Sequence, residues 1–348
     1  MINLQSAILS HVSVHYVGNQ GADENLFLST DEIDLSNEFL ADILTESFTK
    51  PFQDKSEFLR FTHSSDLQLN EMYNFVNQVF TNKNTFHEVS KNMAKHLFEK
   101  TQHPKVKGGE MYVAFWENCL LDDELCDAIG VFKTENKDIF LKAEESGENY
   151  ALEPELGINL NKLDKGCFIF NTNNSDGLRV VILDNLNKGF EAQYWKDDFL
   201  ALTPCADAYH YTKQYMTMAK DFVTKAMPAN HQTDRAEQID MLNRSLTYFK
   251  ENETFSLTKF ADEVIKNEEV KEGFKSYRAQ YQSEKNVTLH DDFDISNAAV
   301  KKQARVYKSV LKLDKNFHVY IHGDKELIEK GTDSDGRKFY KLYYDTES

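Results

Sequence analysis

The sequence predicts an α+β protein, with an antiparallel sheet flanked by helices, followed by a helical region and a C-terminal β-hairpin. Three observations lead to this fold class. Apolar residues recur at helical spacing over residues 35–99, and short β-rich runs separated by turn-forming residues follow between 109 and 194. Helical spacing returns after Pro204, and residues 303–344 alternate as strands do.

The N-terminal portion supplies the predicted sheet. A half-buried strand is predicted at Ser6–Tyr16, and helices are predicted at Leu35–Phe48, Leu69–Phe80 and Thr85–Glu99. Asn, Asp and Gly tolerate positive φ, so Asn173–Gly177 predicts a hairpin connection. The other strands are predicted at six β-rich runs: Gly109–Glu117, Ala128–Thr134, Ile139–Ala143, Gly166–Asn171, Leu178–Asp184 and Glu191–Tyr194.

The C-terminal portion is predicted to be helical from Thr233 to Gln282 before it ends in strands. A helix opened by Pro204 is predicted to end near Pro228, and its apolar face consists of Tyr211, Tyr215, Met218 and Phe222. We predict a domain boundary there, with an N-terminal α+β domain at residues 1–228 and a C-terminal helical region with terminal strands at 229–348. Residues 331–336 supply the turn of the final hairpin.

Charge and composition limit the function classes. The 348 residues carry 57 Asp and Glu against 40 Lys and Arg, a formal charge of −17 that repels DNA at long range. Residues 286–348 are balanced, with eleven cations and eleven acids, so the excess acid lies upstream. The sequence predicts no membrane span and no signal peptide, and the four cysteines form no Cys-x-x-Cys pair. We therefore predict a cytoplasmic protein with reduced thiols.

Catalytic signatures are absent from the sequence. It contains no phosphate-binding Gly-x-x-x-x-Gly-Lys, no Gly-x-Gly-x-x-Gly and no Gly-x-Ser-x-Gly motif. His87-Glu88 begins like a zinc-protease motif, but Lys91 stands where the second histidine is needed. For His11 and His15, a surface or interface role is favoured over metal binding. We predict no cofactor, no metal and no enzymatic activity.

One enzymatic alternative stays open. Paired carboxylates such as Asp291-Asp292 can hold a magnesium ion that activates water. No Lys or further acid stands beside these pairs in a recognisable order, so solvated loops are the favoured interpretation. Metal-dependent cleavage of plasmid DNA that requires Asp291 and Asp292 would support a nuclease.

Two basic features suggest phosphate binding. On a predicted helix at Glu268–Gln282, an apolar stripe of Val270, Phe274, Tyr277 and Tyr281 lies beside a basic stripe. A second run, between residues 301 and 315, holds six cations against one acid. Lys and Arg neutralise the DNA backbone without recognising sequence. The predicted DNA-binding residues are Lys271, Lys275, Arg278, Lys301, Lys302, Arg305, Lys308 and Lys312.

Two alternatives compete with simple backbone contact. Predicted helices at Leu257–Ile265 and Glu268–Gln282 are separated by a short turn, as in a helix-turn-helix, although no glycine marks that turn and Glu268 and Glu269 occupy the end expected to face DNA. The second alternative is an acidic protein-interaction module that imitates a phosphate backbone or docks a basic DNA enzyme.

The order of several segments resembles the bacterial nucleoid-associated protein family, the NdpA-like group. The resemblance runs through most of the chain, over Ile8–Val12, Gly108-Gly109 leading into Met111–Trp116, Leu156–Asp164, Tyr194–Phe199, Leu311–Phe317 and the Asp335-Gly336 turn. It implies a non-enzymatic protein of the bacterial nucleoid that associates with double-stranded DNA and with a DNA topology enzyme. Exposed strands at both ends of the chain favour pairing between copies and hence a homodimer.

Overall fold

The structure, a computed structural model, describes residues 2–4, 6–159, 161–185, 194–230, 235–307, 310–321 and 327–346. It confirms the predicted α+β class, with a large antiparallel sheet, helices and a C-terminal hairpin. The chain divides into two compact units, Met1–Cys205 and Ala206–Ser348, whereas we predicted a division at 228. The helix that follows Pro204 belongs to the second unit, because its apolar face is buried in that unit's core.

The first unit is built on one antiparallel sheet. The strands of this unit are β1 (Ile2–Asn3), β2 (Ile8–Val17), β3 (Leu26–Leu28), β4 (Leu59–Phe61), β5 (Gly109–Leu121), β6 (Glu124–Thr134), β7 (Asp138–Ser146), β8 (Asn149–Gly157), β9 (Lys165–Phe170), β10 (Arg179–Asp184) and β11 (Leu202–Pro204). In the described residues the sheet has nine of these strands, in the order β11-β4-β10-β9-β6-β5-β2-β3, with β1 paired to the end of β5. Strands β7 and β8 pair with each other outside it.

Both faces of the sheet are buried. Successive strand residues point to opposite faces, so Val113 and Phe115 of β5 enter one core while Ala114 and Trp116 enter the other. The first core is covered by helices α2 (Glu71–Thr81) and α3 (Phe86–Glu99), and the second by the end of α1 (Glu38–Thr49). Burial on two sides explains why the central strands are almost continuously apolar.

The helices and the hairpin turn predicted for this unit are present. The three predicted helices form, and the amide oxygens of Asn37 and Asn70 cap the first two by accepting from Leu40 N and Tyr73 N. The predicted turn joins β9 to β10, with Asn173 at φ 52° and Gly177 at φ 99°. Of the strand predicted at Glu191–Tyr194, residues 191–193 lie outside the described residues. Tyr194 instead begins a π-helical turn.

The second unit is mainly helical. Its helices are α4 (Ala208–Asp221), α5 (Met227–Asn230), α6 (Arg235–Glu251), α7 (Leu257–Phe260), α8 (Glu268–Lys285) and α9 (Asn297–Ala304). Its strands are β12 (Thr254–Ser256), β13 (Asp292–Asp294), β14 (Val310–Leu313), β15 (Phe317–Tyr320), β16 (Ile328–Thr332) and β17 (Lys338–Leu342). Helix α4 continues through a π-helical segment into α5. The short strands β12 and β13 pair with each other, and the sequence analysis did not predict them.

Aromatic side chains form the core of the second unit. Phe255 stacks on Phe249 and Phe293 at centroid distances of 5.6 and 4.7 Å, and Phe260 lies 5.5 Å from Phe255. The predicted face of α4 is buried here through residues such as Tyr215. Strands β16 and β17 form the predicted C-terminal hairpin.

Candidate nucleic-acid interface

Helix α8 carries the first predicted basic stripe. Its capping residue Asn267 accepts from Val270 N at 3.1 Å, and the predicted apolar stripe faces the core, with Val270 and Phe274 buried and Tyr277 and Tyr281 half-buried. The orientation of this helix is therefore set by its apolar residues, as its periodicity indicates.

The two lysines of that stripe are engaged in ion pairs. The ammonium of Lys271 lies 2.7 Å from an oxygen of Asp262 and 2.8 Å from one of Glu268, and its side chain is only 13% exposed. Lys275 pairs with Glu272 at 2.7 Å, one turn away on the same helix. Since both lysines are paired with carboxylates, neither presents an uncompensated positive charge. DNA phosphates would have to displace these carboxylates.

Arg278 is occupied inside the protein. Its Nε donates to the hydroxyl of Tyr215 at 3.0 Å, and its Nη2 donates to the carbonyl of Leu289 at 2.6 Å and pairs with Asp291. The side chain is 18% exposed. Burial raises the pKa of the Tyr215 phenol to about 12, so this phenol stays neutral beside the guanidinium. Arg278 thus links α4 to the segment before β13.

Helix α9, which the sequence analysis did not predict as a helix, presents the second set of cations. Ser296 caps it, and Ala299 and Val300 fix it to the core. Tyr307, just beyond its end, is buried and donates to the carbonyl of Met216 at 2.5 Å. The apolar anchors therefore determine which side of this helix faces solvent.

The exposed side of α9 is cationic. Lys301, Lys302 and Arg305 are all exposed, and Lys301 and Arg305 are four residues apart, so they share one face as the helix ends. Residues 297–307 contain no Asp or Glu, and within the described part of the chain Lys301 and Arg305 form no ion pair. The Lys302 ammonium lies 6.0 Å from the ring centroid of Tyr209. We call Lys301, Lys302 and Arg305 the α9 cations.

The remaining predicted cations lie beyond α9. Lys312 is exposed on β14, opposite His318 of β15. Its neighbour Leu311 is buried against Ile239 and Ile321. Lys308 lies outside the described residues.

The two helices of the helix-turn-helix interpretation do form. Helix α7 continues as a π-helical turn to Ile265, and only Lys266 and Asn267 separate it from α8. The start of α8 is anionic, since Glu268 and Glu269 are exposed there. A recognition helix contacts bases with its N-terminal residues. The two glutamates therefore repel DNA at the end of α8 that would have to approach it.

An acidic stripe covers α1 in the first unit. Asp34, Glu38, Asp42 and Glu46 recur every fourth residue and are all exposed, and residues 31–46 contain no Lys or Arg. At 1.5 Å rise per residue the helical carboxylates repeat about every 6 Å. We call these four residues the α1 carboxylates. Glu46 pairs with Lys50 at 3.2 Å, so the surface suited to a basic partner lies mainly at Asp34, Glu38 and Asp42.

The histidines of β2 have structural roles. His11 pairs with Glu32 at 2.9 Å, and His15 is buried against Ser90 of α3 at 2.9 Å. In the described residues no group of three or more His, Cys, Asp or Glu side chains is placed to hold a metal ion. Asp291, which the nuclease alternative requires, pairs with Arg278.

A buried charged cluster lies between the ends of β6, β9 and β10. Lys133 and Lys165 are fully buried and lie 3.2 and 3.8 Å from an oxygen of Glu135, and Lys165 is also 3.3 Å from Asp184. Tyr194 donates to the same carboxylate at 2.9 Å, and burial, then Glu135, raise the pKa of its phenol. Burial likewise lowers the pKa of Lys133. The contacts of Lys165 with Glu135 and Asp184 join the ends of three neighbouring strands, and removing one partner would leave a buried charge without its counter-charge.

The fold and these surfaces define a class: an α+β protein whose candidate sites are charged surfaces. In the described residues no helix is both long and apolar enough to cross a membrane. The family described as nucleoid-associated protein YejK matches residues 13–337, and the chain belongs to that family. This confirms the resemblance to bacterial nucleoid-associated proteins. No curated protein sequence matches the chain.

The sequence indicated in part why the lysines of α8 are paired with carboxylates whereas Lys301 and Arg305 of α9 are not. Acids stand three residues before Lys271 and Lys275, at Glu268 and Glu272, and such spacing favours ion pairs on a helix. No acid stands within helical reach of Lys301 or Arg305 in residues 297–307. The contacts of Lys271 with Asp262 and of Arg278 with Leu289 join separate segments, and helical spacing does not reveal them.

Proposed function

We propose that this protein is a non-enzymatic, cytoplasmic component of the bacterial nucleoid that binds double-stranded DNA through its phosphates, without strong sequence preference. Membership of the nucleoid-associated family supports the location and the DNA association. Lys301 and Arg305 carry the proposal, because they are exposed at a helix end without acids and form no ion pair in the described part of the chain. Lys312, and by sequence alone Lys308, extend the same basic run.

The charge balance favours phosphate contact over base recognition. A strongly anionic protein repels the duplex at a distance, so binding depends on short-range neutralisation by a few cations. Short Lys and Arg contacts to phosphate carry no sequence information. The stripe of Lys271, Lys275 and Arg278 was part of our prediction, but its cations already hold carboxylates, so we place the main contact on α9.

The test is a matched pair of double variants. Lys301→Ala with Arg305→Ala and Lys271→Ala with Lys275→Ala remove the same charge from two helices of one unit. Binding of a fluorescent duplex is followed by anisotropy between about 50 and 200 mM salt. If the α9 pair contacts two phosphates, its removal lowers the slope of log affinity against log salt by roughly 1.8.

We expect the α8 pair to change that slope by less than about 0.5, since its lysines are neutralised before DNA arrives. Equal effects of the two double variants would show that only net charge matters, and would contradict a contact at α9. An unchanged slope in the α9 variant would contradict it as well. Thermal unfolding of both variants checks that the second unit stays folded.

The α1 carboxylates favour a second candidate function, a docking surface for a basic protein such as a DNA topology enzyme. Complementary charge accelerates association and suppresses wrong partners. Pull-down after nuclease treatment separates the two functions, because only a protein partner survives removal of DNA. Changing Asp42 and Glu46 to Lys should abolish that capture, while changing Glu251 and Glu284 of the second unit to Lys should not. Equal losses in both variants would contradict docking at α1.

A further inference from the structure

Strands β14 and β15 form a short antiparallel hairpin in the second unit. Four residue pairs join them, from Val310 with Tyr320 to Leu313 with Phe317, and Asp314 at φ 51° begins the turn between the strands. Among the described residues these strands pair with no others. The hairpin therefore presents two faces, one on each side of a single pair of strands.

One face anchors the hairpin to the protein. Directly opposed residues point the same way and alternate pairs share a face, so Leu311, Leu313 and Val319 lie together. Leu311 is 2% exposed and clusters with Ile239 of α6, and Leu313 and Val319 are half-buried against the same cluster. These apolar contacts decide which face of the hairpin is directed outward.

The outward face carries two aromatic rings and a cation. His318 and Tyr320 alternate along β15, and Lys312 lies directly opposite His318 on β14. All three side chains are exposed, that of Tyr320 to 66%. Within the described residues none of the three is engaged by a hydrogen bond, an ion pair or another ring. The two rings and the ammonium are therefore available to a ligand.

The charge of the hairpin favours an anionic ligand. The hairpin contains Lys312 and Lys315 against a single acid, Asp314. Lys315 is exposed in the turn, and in the part of the chain that the structure describes it forms no ion pair. The chain as a whole carries a formal charge of −17, so this hairpin is an exception within it. A phosphate strand is attracted to such a surface, whereas a basic protein is not.

The spacing of the two rings suits successive unpaired bases. Alternate residues of a strand lie about 7 Å apart, so the rings of His318 and Tyr320 stand side by side and each has room for a base of its own. Aromatic residues on the surface of a sheet bind unpaired bases by stacking. Stacking accepts every base, because each base has a π-face. In a duplex these faces are covered by the neighbouring base pairs.

We propose that the outward face of the β14–β15 hairpin binds single-stranded DNA. One base stacks on Tyr320, the next stacks on His318, and Lys312 neutralises a phosphate beside them. This inference rests on the proposed function only for the kind of polymer, which membership of the nucleoid-associated family supports. It adds unpaired DNA to the ligands of the protein, since phosphate contacts at α9 do not distinguish paired from unpaired bases.

The two contacts serve different forms of DNA. The α9 cations neutralise phosphates of the duplex, and the hairpin holds bases where the strands are separated. Neither stacking nor phosphate contact depends on base identity, so binding of single strands is expected to have little sequence preference.

Two single strands of equal charge test the proposal. One is a fluorescent thymine oligonucleotide of about 16 nucleotides, and the other has the same length but only abasic sites, so the two differ in their bases alone. By anisotropy with the full chain, the thymine strand should bind at least about 5-fold more tightly, the least that one stacked base contributes. Equal affinities for the two strands would overturn the proposal.

Variants of Tyr320 locate the stacking contact. Tyr320→Ala should lower the affinity for the thymine strand by about 5- to 150-fold and leave that for the abasic strand unchanged. Tyr320→Phe keeps the ring and should bind as the wild type does. The matched control is Tyr150→Ala, which removes a comparably exposed tyrosine, 71% against 66%, that bonds to Glu145. It should change neither affinity.

The Tyr320→Ala result also decides against the proposal if it goes the other way. A Tyr320→Ala variant that still prefers the thymine strand as the wild type does, or a Tyr150→Ala variant with an equal loss, would overturn it. Because Tyr320 is exposed, its replacement leaves the core intact, which thermal unfolding followed by far-ultraviolet circular dichroism checks.

Lys312→Ala separates charge from stacking. It should weaken binding of both strands by the same factor and lower the slope of log affinity against log salt by about 0.7. A loss confined to the thymine strand would contradict the phosphate contact. The comparison of thymine and abasic strands cancels the phosphate contacts, so its outcome does not depend on α9. A failed duplex assay therefore refutes the contact at α9 and leaves the hairpin site in place.

Discussion

Protonation of His15 is expected to destabilise the first unit at acid pH. His15 is buried between β2 and α3. Its Nδ1 accepts from Ser29 N at 3.3 Å, so Nε2 carries the proton and donates to Ser90 Oγ at 2.9 Å. Burial, followed by the nearby His87 and Lys91, lowers the pKa of His15 from 6.5 to about 4. The folded protein therefore holds this ring neutral.

The direction of the pH effect follows from the two pKa values. Above pH 6.5 the ring is neutral in both states and His15 contributes nothing. Between pH 6.5 and 4 the unfolded chain binds a proton that the folded protein does not, so the free energy of unfolding falls. The loss is about 2 kcal/mol at pH 5 and about 3 kcal/mol below pH 4.

Urea unfolding followed by tryptophan fluorescence measures this loss. Both tryptophans, Trp116 and Trp195, are buried in the first unit, so their signal reports that unit alone. His15→Gln keeps hydrogen-bonding capacity but does not titrate. Between pH 7.5 and 5 the variant should lose about 2 kcal/mol less than the wild type. The exposed His63→Gln should behave as the wild type does. Equal losses in His15→Gln and the wild type would refute the assignment.

Two further predictions concern buried charges. Arg278→Ala leaves the hydrogen-bond partners of the guanidinium unsatisfied and should lower the free energy of unfolding of the second unit by about 2 kcal/mol. The control Lys275→Ala should change it by less than about 0.5 kcal/mol. Far-ultraviolet circular dichroism measures both. Equal effects would contradict a structural role for Arg278. Glu135→Gln deprives Lys133 and Lys165 of their shared counter-charge and should cost about 3–5 kcal/mol by tryptophan fluorescence. A loss below about 1 kcal/mol would show that the cluster is hydrated.

Local patterns in the sequence were reliable where one element determines the outcome. The apolar stripe of α8 predicted which residues are buried, because helical periodicity alone decides which side chains share a face. The turn at Asn173–Gly177 was predictable because few residues tolerate its backbone angles. The sequence predicted short elements less reliably. Helix α9 and the β12–β13 pair are short, and their stability comes from the aromatic core they contact.

The sequence by itself determined the α+β class, the order of its main elements, the family resemblance and the presence of two basic runs in an acidic chain. Only the tertiary structure decided which cations remain available. Lys271 meets Asp262 from another helix and Arg278 meets the backbone of Leu289, contacts that depend on packing between segments. It also decided that β7 and β8 leave the main sheet as a ribbon with an open apolar face. Strand alternation fixes which side chains share a face, but only three-dimensional packing determines whether that face is covered.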